Sequence, residues 1–352
     1  MTKARIVCFL FALALAPPAR TPAQDSMPSQ NSAPSQGIRI AVGVDAKSGQ
    51  PVAGLTQQDF TVLDNKTPRP ITSFKVVSAA REPVHVILLV DAVNMPYQAL
   101  SYTRQGIEKF LKANEGKLAY PTTLAILTDQ GAKIVQDFSS DGNALNDIFH
   151  SQQIGLREIS RSSEWGGVER LQISLDAFHQ LAGFAAKIPG RKAVIWISPG
   201  WPLISGPNVD LSSRDAQHIF NNVVSISNQL RQDNLTLYNV NPWGVDESLA
   251  RADYYQAFLK APANANNVEP GALGLQVLAI HSGGLAIESN SDVAGNIETC
   301  LNEFRSWYEI AFDPLPADRP NEYHHIEVRL DQRALTVHTT DGYYANPKVL
   351  LP

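Results

Sequence analysis

The sequence is poor in cysteine, with only Cys8 and Cys300 among its 352 residues. This scarcity argues against a disulfide-stapled scaffold and against a zinc site built from thiolates. An excess of one charge is also lacking, because 29 Lys and Arg residues stand against 34 Asp and Glu, for a formal net charge of −5 at pH 7. Without a basic excess the chain has no electrostatic footprint for nucleic acid, and we expect no such partner.

Long apolar runs are scarce as well. Residues 6–16 form one such run, which is too short to cross a bilayer as a mature helix. The run follows Lys3 and Arg5 and precedes Thr21-Pro22-Ala23, the pattern of a secretory signal peptide. We therefore expect residues 1–23 to be a signal peptide cleaved near Ala23. The mature protein would then be secreted or periplasmic, with no transmembrane segment; an uncleaved anchor is the alternative.

The rest of the chain has the composition of a globular protein, with 44% hydrophobic residues. Residues 24–36 are rich in Pro, Ser, Gln and Ala, which predicts a flexible leader. Residues 37–80 show period-two alternation, as in Ile38-x-Ile40-x-Val42, with further short strands predicted at 59–63 and 71–77. This first segment is therefore predicted to be all β.

At residue 83 the pattern changes to alternating strands and helices. Residues 84–90 are almost entirely apolar, as in a strand covered on both faces of a parallel sheet. The tight turn Asp129-Gln130-Gly131 predicts one antiparallel hairpin. Residues 83–305 are thus predicted to form an α/β domain with a doubly wound, mostly parallel sheet. Residues 306–346 return to pure β and are predicted to pack with residues 37–80 into a small flanking β domain.

Several short motifs resemble one family. Val90-Asp91-Ala92-Val93-Asn94-Met95 is similar to the first strand–loop–helix unit of a von Willebrand factor type A (VWFA) domain. Val52-Ala53-Gly54-Leu55-Thr56 before it, and Tyr308-Glu309-Ile310 and Gly342-Tyr343-Tyr344 after it, resemble the flanks of bacterial, acidobacterial-type VWFA-related proteins. The resemblance implies a Rossmann-like sheet with its ligand face at the carboxyl ends of the strands. It implies adhesion or protein binding, often through Mg²⁺, and no catalysis.

The metal form of that family requires a first loop Asp-x-Ser-x-Ser, a Thr from a second loop and an Asp from a third. Here Asp91 matches, but Val93 and Met95 stand where the two serines belong. Val168 stands in the threonine position and Pro199 replaces the second carboxylate. Because hard cations require oxygen ligands, we predict a degenerate site with no metal and no cofactor. The alternative is a rebuilt ion site, with an oxygen from Glu169 or Asn94.

The loops at the predicted strand ends carry aromatic and small residues. Trp, Tyr and Met are enriched in protein interfaces. The predicted ligand-binding face consists of Asp91, Asn94, Met95, Tyr97, Trp165, Gly166, Gly167 and Trp201. The alternative is that these side chains only fill the space left by the metal and cover the end of the sheet, with Asp91 accepting hydrogen bonds from backbone N–H groups.

No catalytic residues are predicted, because the sequence contains no nucleophile elbow, Walker loop or His-Glu-x-x-His motif. We expect His324 to be packed and His325 solvated, since adjacent strand residues point to opposite faces. His281-Ser282-Gly283 is interpreted as a helix cap, and Cys300 as a small core residue.

The sequence thus favours a non-catalytic, extracytoplasmic protein-binding module that is independent of metal, whose partner is an unknown protein or cell-surface ligand. Metal-dependent adhesion through a rebuilt ion site is the first alternative. An uncharacterised α/β hydrolase is the second.

Overall fold

The computed structural model describes residues 37–78, 82–152, 164–202, 211–243, 254–332 and 334–347, without the side chains of residues 164, 165 and 254. The predicted signal peptide and leader lie outside the described residues. Across the described ranges, no helix combines the length and the apolar character that a membrane crossing needs.

The strands are β1 (Ile38–Ala46), β2 (Phe60–Asp64), β3 (Thr67–Arg69), β4 (Ile71–Ser78), β5 (Val84–Asp91), β6 (Lys117–Thr128), β7 (Gly131–Ile134), β8 (Ser139–Asp141), β9 (Arg191–Ile197), β10 (Leu235–Val240), β11 (Ala286–Ile287), β12 (Ser306–Phe312), β13 (Glu322–Leu330), β14 (Leu335–His338) and β15 (Gly342–Ala345). The helices are α1 (Tyr97–Lys112), α2 (Gly142–Ser151), α3 (Glu164–Ala185), α4 (Ser213–Gln232), α5 (Leu275–His281) and α6 (Val293–Asn302).

The central sheet has the strand order β11-β10-β9-β5-β6-β7. The first five of these strands are parallel, with Val86 opposite Ala193 of β9 on one side and Thr122 of β6 on the other. The chain moves from β5 to β6 in one direction and later builds β9, β10 and β11 in the other. The fold is therefore the predicted α/β class with a mostly parallel, doubly wound sheet.

The predicted hairpin is confirmed by the antiparallel pairing of β6 and β7. Thr128 lies opposite Gly131, and Gly131 has a φ of +97°, a left-handed value that favours glycine. The hairpin adds an antiparallel edge to an otherwise parallel sheet.

Both faces of the sheet are covered by helices, which explains the apolar run in β5. Leu88 and Val90 face a core that includes Ile107 of α1 and Ile297 of α6. Their neighbours Ile87 and Leu89 belong to a second core, whose further members include Phe178 of α3 and Val223 of α4. A strand buried on both sides cannot carry polar residues at alternate positions, so the period-two pattern is absent there.

The two terminal segments meet in space and form two four-stranded sheets, with the orders β14-β1-β12-β4 and β15-β13-β2-β3. Ile40 of β1 lies opposite Ile310 of β12, and Val62 of β2 lies opposite Val328 of β13. The inward residues of both sheets share one apolar core. Each terminal segment contributes strands to both sheets, so neither segment could complete this sandwich alone.

A polar group sits inside this sandwich and is fully paired by its neighbours. Asp64 accepts hydrogen bonds from the Tyr343 hydroxyl and the Leu315 N–H, each at 2.8 Å, and its other oxygen lies 2.9 Å from His324 Nδ1. His324 is buried and His325 is exposed, which confirms the predicted split of the pair between two faces. A buried carboxylate without hydrogen bonds would destabilise the fold. The three contacts meet this requirement, and we therefore interpret the arrangement as structural.

Candidate functional site

The candidate site lies at the carboxyl edge of the central sheet, between β5 and β9. The direction in which the sheet is built reverses between these two strands. In open α/β sheets, ligands bind outside the carboxyl ends of the strands at such a switch point. The loop after β5 begins with Ala92, and the loop after β9 begins with Ser198.

Asp91 is the last residue of β5 and is fully buried. One of its oxygens accepts a hydrogen bond from the Asn94 backbone N–H at 2.9 Å. The other accepts three, from the Asn94 side-chain amide at 2.8 Å, the Trp196 indole N–H at 3.0 Å and the Ser198 hydroxyl at 2.9 Å. Burial raises the pKa of Asp91, and these hydrogen bonds lower it in part. The carboxylate is the centre of a closed hydrogen-bond network within the protein.

The network continues into helix α3 through residues that the sequence did not single out. The Asn94 amide also donates to the Ser174 hydroxyl at 2.9 Å, and Ser174 donates to the Arg170 carbonyl at 2.8 Å. Burial lowers the pKa of the Arg170 guanidinium, and the negative charge of Asp91 partly offsets that effect. The network around Asp91 therefore extends through Asn94 and Ser174 to the backbone of α3.

The residues present do not fit a divalent ion at this edge. The Asp91 oxygen with the most neighbours is surrounded by N–H and O–H donors, and an indole N–H cannot be a metal ligand. The side chains of Val93 and Met95 are buried and contain no oxygen, and Pro199 supplies no side-chain oxygen either. Glu169, the possible replacement, is exposed. The donor set thus suits an internal carboxylate and does not suit Mg²⁺.

Two residues of the predicted ligand-binding face, Trp201 and Met95, are buried and do not form part of an exposed surface. Trp201 is only 5% exposed and packs edge-on against Trp196, with ring centroids 5.2 Å apart. Met95 is buried, and its sulfur accepts a hydrogen bond from the Thr103 hydroxyl at 3.4 Å. Both side chains fill the space above the strand ends, which was the alternative interpretation.

The supposed second loop is also corrected, because residues 164–168 form the first turns of helix α3. Gly166 and Gly167 are buried helical residues, so they do not form a flexible ligand loop. Val168 is exposed, whereas Ser174 of the same helix is fully buried and bonds to Asn94. The backbone of Trp165 is in the same first turn, and its side chain lies outside the described residues.

Other apolar side chains do reach the surface at this edge. Among the described residues, the exposed large apolar side chains are Val76, Tyr97, Tyr102, Val168 and Trp243. Tyr97 and Tyr102 lie in the first turns of α1, Val168 lies in the second turn of α3, and Trp243 follows β10 by three residues. Helices that run antiparallel to the strands begin at their carboxyl ends, so four of these five side chains lie at the carboxyl edge.

Of these four residues, the sequence analysis assigned only Tyr97, which is 72% exposed, to the ligand-binding face. A signal for Tyr102 existed, because it lies outside the apolar stripe formed by Leu100, Ile107 and Phe110 on α1. Trp243 and Val168 gave no comparable signal, since their exposure depends on how neighbouring segments pack.

Two other predicted features are as expected. Ser282 caps helix α5, and Gly283 follows it with a φ of +83°, the left-handed conformation of a helix C-terminus. The Ser282 hydroxyl donates to backbone carbonyls and accepts from the Leu237 N–H. Cys300 is fully buried in the core, where burial raises the pKa of its thiol.

No model of a known protein family matches the chain, and no curated protein matches it. Solved structures similar to it include the VWA domain of SpRpn10, at 14% identity and a TM-score of 0.26, over 48% of this chain and 79% of that one. The manganese-loaded TRAP protein of Plasmodium vivax is similar at 12% identity and a TM-score of 0.34, over 76% of this chain and 96% of that one. Likenesses this distant carry no argument about ligand or activity.

Proposed function

We propose that this protein is a non-catalytic, extracytoplasmic protein-binding module of the von Willebrand factor type A kind. It binds its partner through the carboxyl edge of the central sheet without an ion at Asp91. The observation that carries the proposal is the location of Tyr97, Tyr102, Val168 and Trp243 at that edge. Exposed apolar residues scattered over a surface are ordinary, whereas four of the five exposed ones among the described residues share one edge.

The buried residues at the same edge support the same role. Asp91, Trp196 and Trp201 are buried and held by hydrogen bonds and ring packing. A surface supported in this way loses little conformational entropy when a partner binds. Tyrosine and tryptophan are the residues that most often dominate the binding energy of an interface.

The two alternatives find less support in the described residues. Metal-dependent adhesion requires an additional oxygen ligand near Asp91, whereas Glu169 is exposed and the nearby charge is the Arg170 cation. A hydrolase requires a nucleophile beside a base. His281 is paired with Asp341, but the neighbouring Ser282 hydroxyl is occupied by the backbone groups of Leu237 and Ala279.

A capture experiment tests the proposed face. The purified protein is immobilised and exposed to envelope and secreted fractions of its source organism, with and without EDTA. We expect the double variant Tyr97→Ser/Trp243→Ser to lose at least tenfold in capture, with its thermal midpoint nearly unchanged. Val76→Ser is the matched control, because Val76 is similarly exposed but lies on β4 of the sandwich.

Two results would overturn the proposal. Unchanged capture by the double variant would remove the binding face from the carboxyl edge. Capture that disappears in EDTA and returns with Mg²⁺ would favour metal-dependent adhesion.

The extracytoplasmic location rests on the pattern of residues 1–23 alone. Sequencing the amino terminus of the protein isolated from cell fractions tests it. A first residue at or near Gln24, in the periplasmic or secreted fraction, is expected. An intact Met1 in the cytoplasmic fraction would contradict it.

A further inference from the structure

A group of side chains that could ligate a metal lies beside the sandwich, apart from the Asp91 site. Asp45 of β1, His338 of β14 and Glu303, which follows α6, each place one ligand atom within 4.8 Å of the other two. His338 Nε2 is 3.3 Å from an Asp45 oxygen. The side chains of Asp45 and His338 are 15% and 27% exposed, so an ion from solvent can reach them.

The strand register fixes two of these ligands. β1 and β14 are antiparallel neighbours, with Gly43 opposite His338 and Asp45 opposite Thr336. Gly43 and Asp45 share one face of β1, and its neighbours Val42 and Val44 face the sandwich core. The absence of a side chain at Gly43 leaves room for Glu303, whose Oε2 would lie 3.5 Å from a Cβ placed there. Ligands on paired strands are held more precisely than ligands on loops.

The cluster differs from an ordinary surface ion pair because two carboxyl groups converge on one imidazole. Burial and the adjacent Asp45 raise the pKa of Glu303, whereas His338 and Arg191 lower it. Arg191 is itself buried, and its guanidinium stacks over the rings of Phe304 at 4.5 Å and Trp307 at 5.2 Å. Two carboxylates held together repel each other unless a proton or a cation lies between them.

We propose that Asp45, Glu303 and His338 form a binding site for a divalent transition-metal ion of the Zn²⁺ class. One imidazole nitrogen and two carboxylate oxygens are a ligand set that zinc accepts, with a fourth position left for water. The imidazole nitrogen disfavours Mg²⁺ and Ca²⁺, which prefer oxygen ligands alone. Zinc–ligand bonds are about 2.0–2.2 Å long, so two ligand atoms of a tetrahedral zinc lie roughly 3.4 Å apart. The pair His338–Asp45 already has nearly this separation, at 3.3 Å, and the third ligand atom lies within 4.8 Å of both.

Such an ion would connect three separate parts of the chain, namely the first strand of the sandwich, its penultimate strand and the end of the last α-helix. Its binding would stabilise the native state by mass action, since the unfolded chain does not hold these residues together. The role is structural and is independent of the partner-binding face.

Titration calorimetry and Co²⁺ absorption on the purified protein test the proposal. Zn²⁺ is titrated into the protein at pH 7.5, and Co²⁺ is added separately to look for the visible bands of a tetrahedral cobalt site. We expect one ion per chain, at least tenfold weaker Zn²⁺ binding in Glu303→Gln, and loss of the cobalt bands in that variant. Binding should also weaken as the pH falls, because the ligands must be deprotonated.

The matched control is His150→Ala. The Nε2 of His150 lies 3.3 Å from a Glu108 oxygen, the same separation as in the pair His338–Asp45. Among the described residues, no second carboxylate completes a metal-ligating group there. This variant should bind Zn²⁺ as the unmodified protein does. Asp45→Asn and His338→Gln provide the same test as Glu303→Gln if that variant does not fold.

The proposal is overturned if the unmodified protein shows no binding heat and no cobalt bands at 0.1 mM ion. It is equally overturned if Glu303→Gln and Asp45→Asn fold normally and bind Zn²⁺ with unchanged affinity. In that case the cluster is a proton-sharing carboxyl pair beside a histidine.

Discussion

The carboxylate at the strand ends and the carboxylates beside the sandwich have opposite surroundings. Asp91 is fully buried and accepts four hydrogen bonds from donors of its own chain. Asp45 and Glu303 are partly accessible and face each other and one imidazole. The number of carboxylates therefore does not decide whether a site binds an ion. The decisive property is whether their lone pairs are already used by the protein.

The largest expected effect comes from removing the Asp91 carboxylate. Asp91→Ala would leave the indole N–H of Trp196, the hydroxyl of Ser198 and the amide of Asn94 without their acceptor in a buried site. Each unsatisfied buried donor costs about 1–3 kcal/mol. We expect the free energy of unfolding to fall by about 4 kcal/mol, measured by urea denaturation. A loss below about 1 kcal/mol would show that the network does not stabilise the fold.

The next largest effect is the difference in stability between a variant of a buried aromatic residue and a variant of an exposed one. Trp201→Ala removes a ring that packs against Trp196, and truncating a buried tryptophan costs about 3 kcal/mol or more. Tyr97→Ala removes a side chain that is 72% exposed, and it should change stability by less than about 0.5 kcal/mol. Thermal unfolding of the two variants side by side measures this. Equal losses would contradict the division into a supporting layer and a binding layer.

Much of the fold was predictable, because local patterns follow directly from burial. The continuous apolar run at 84–90 indicated a strand covered on both faces, and β5 spans Val84–Asp91. Alternation in residues 37–80 and the return to a pure β pattern in residues 306–346 indicated strands, and these two segments built the two sheets of one sandwich. Their division between two sheets could not be predicted, since strand pairing is a long-range choice that periodicity does not encode.

The sites were less predictable for the same reason. Asp91 was identified from its strand-end position, but Trp196 and Ser198 are 105 and 107 residues away in sequence and meet it only through the order of the sheet. The rotation of α3 decides that Ser174 joins the network at Asp91, through Asn94, and that Glu169 faces solvent. The metal-ligating cluster joins Asp45 to Glu303 and His338 across most of the chain. No spacing motif could indicate it.

A smaller effect concerns the cluster of Asp45, Glu303 and His338, through the pH dependence of stability. The pKa of Glu303 is raised above its ordinary value of 4.5, chiefly by burial. The folded state therefore binds this proton more tightly than the unfolded state, so the contribution to stability is complete below about pH 4.5 and declines as the pH rises through the raised pKa.

Glu303→Gln removes this penalty. In EDTA, the variant should be more stable than the unmodified protein at pH 7.5, by on the order of 1 kcal/mol, with little difference near pH 4.5. Thermal unfolding at both pH values provides the measurement. With Zn²⁺ in place of EDTA, the order of stabilities at pH 7.5 should reverse, because only the unmodified protein binds the ion tightly. A variant that is less stable than the unmodified protein in EDTA at pH 7.5 would contradict the assignment.

At the strand ends we expect no effect of Mg²⁺ on the thermal stability of the protein. A specific Mg²⁺ site with a Kd of about 0.1 mM would stabilise the native state by roughly 2.7 kcal/mol at about 10 mM Mg²⁺. At Asp91, however, an ion would have to displace the Trp196 and Ser198 donors, which are 3.0 Å and 2.9 Å from the same oxygen. Val93 and Met95 are buried beside it and offer no oxygen in return. The buried donors would then lose their acceptor, and Mg²⁺ would lose water ligands that it releases reluctantly. We therefore expect the same melting curve in EDTA and in 10 mM Mg²⁺.

Asp45→Asn provides the control, because it disables the cluster beside the sandwich. A rise in the midpoint with Mg²⁺ that persists in Asp45→Asn but disappears in Asp91→Asn would make the strand end an ion site after all.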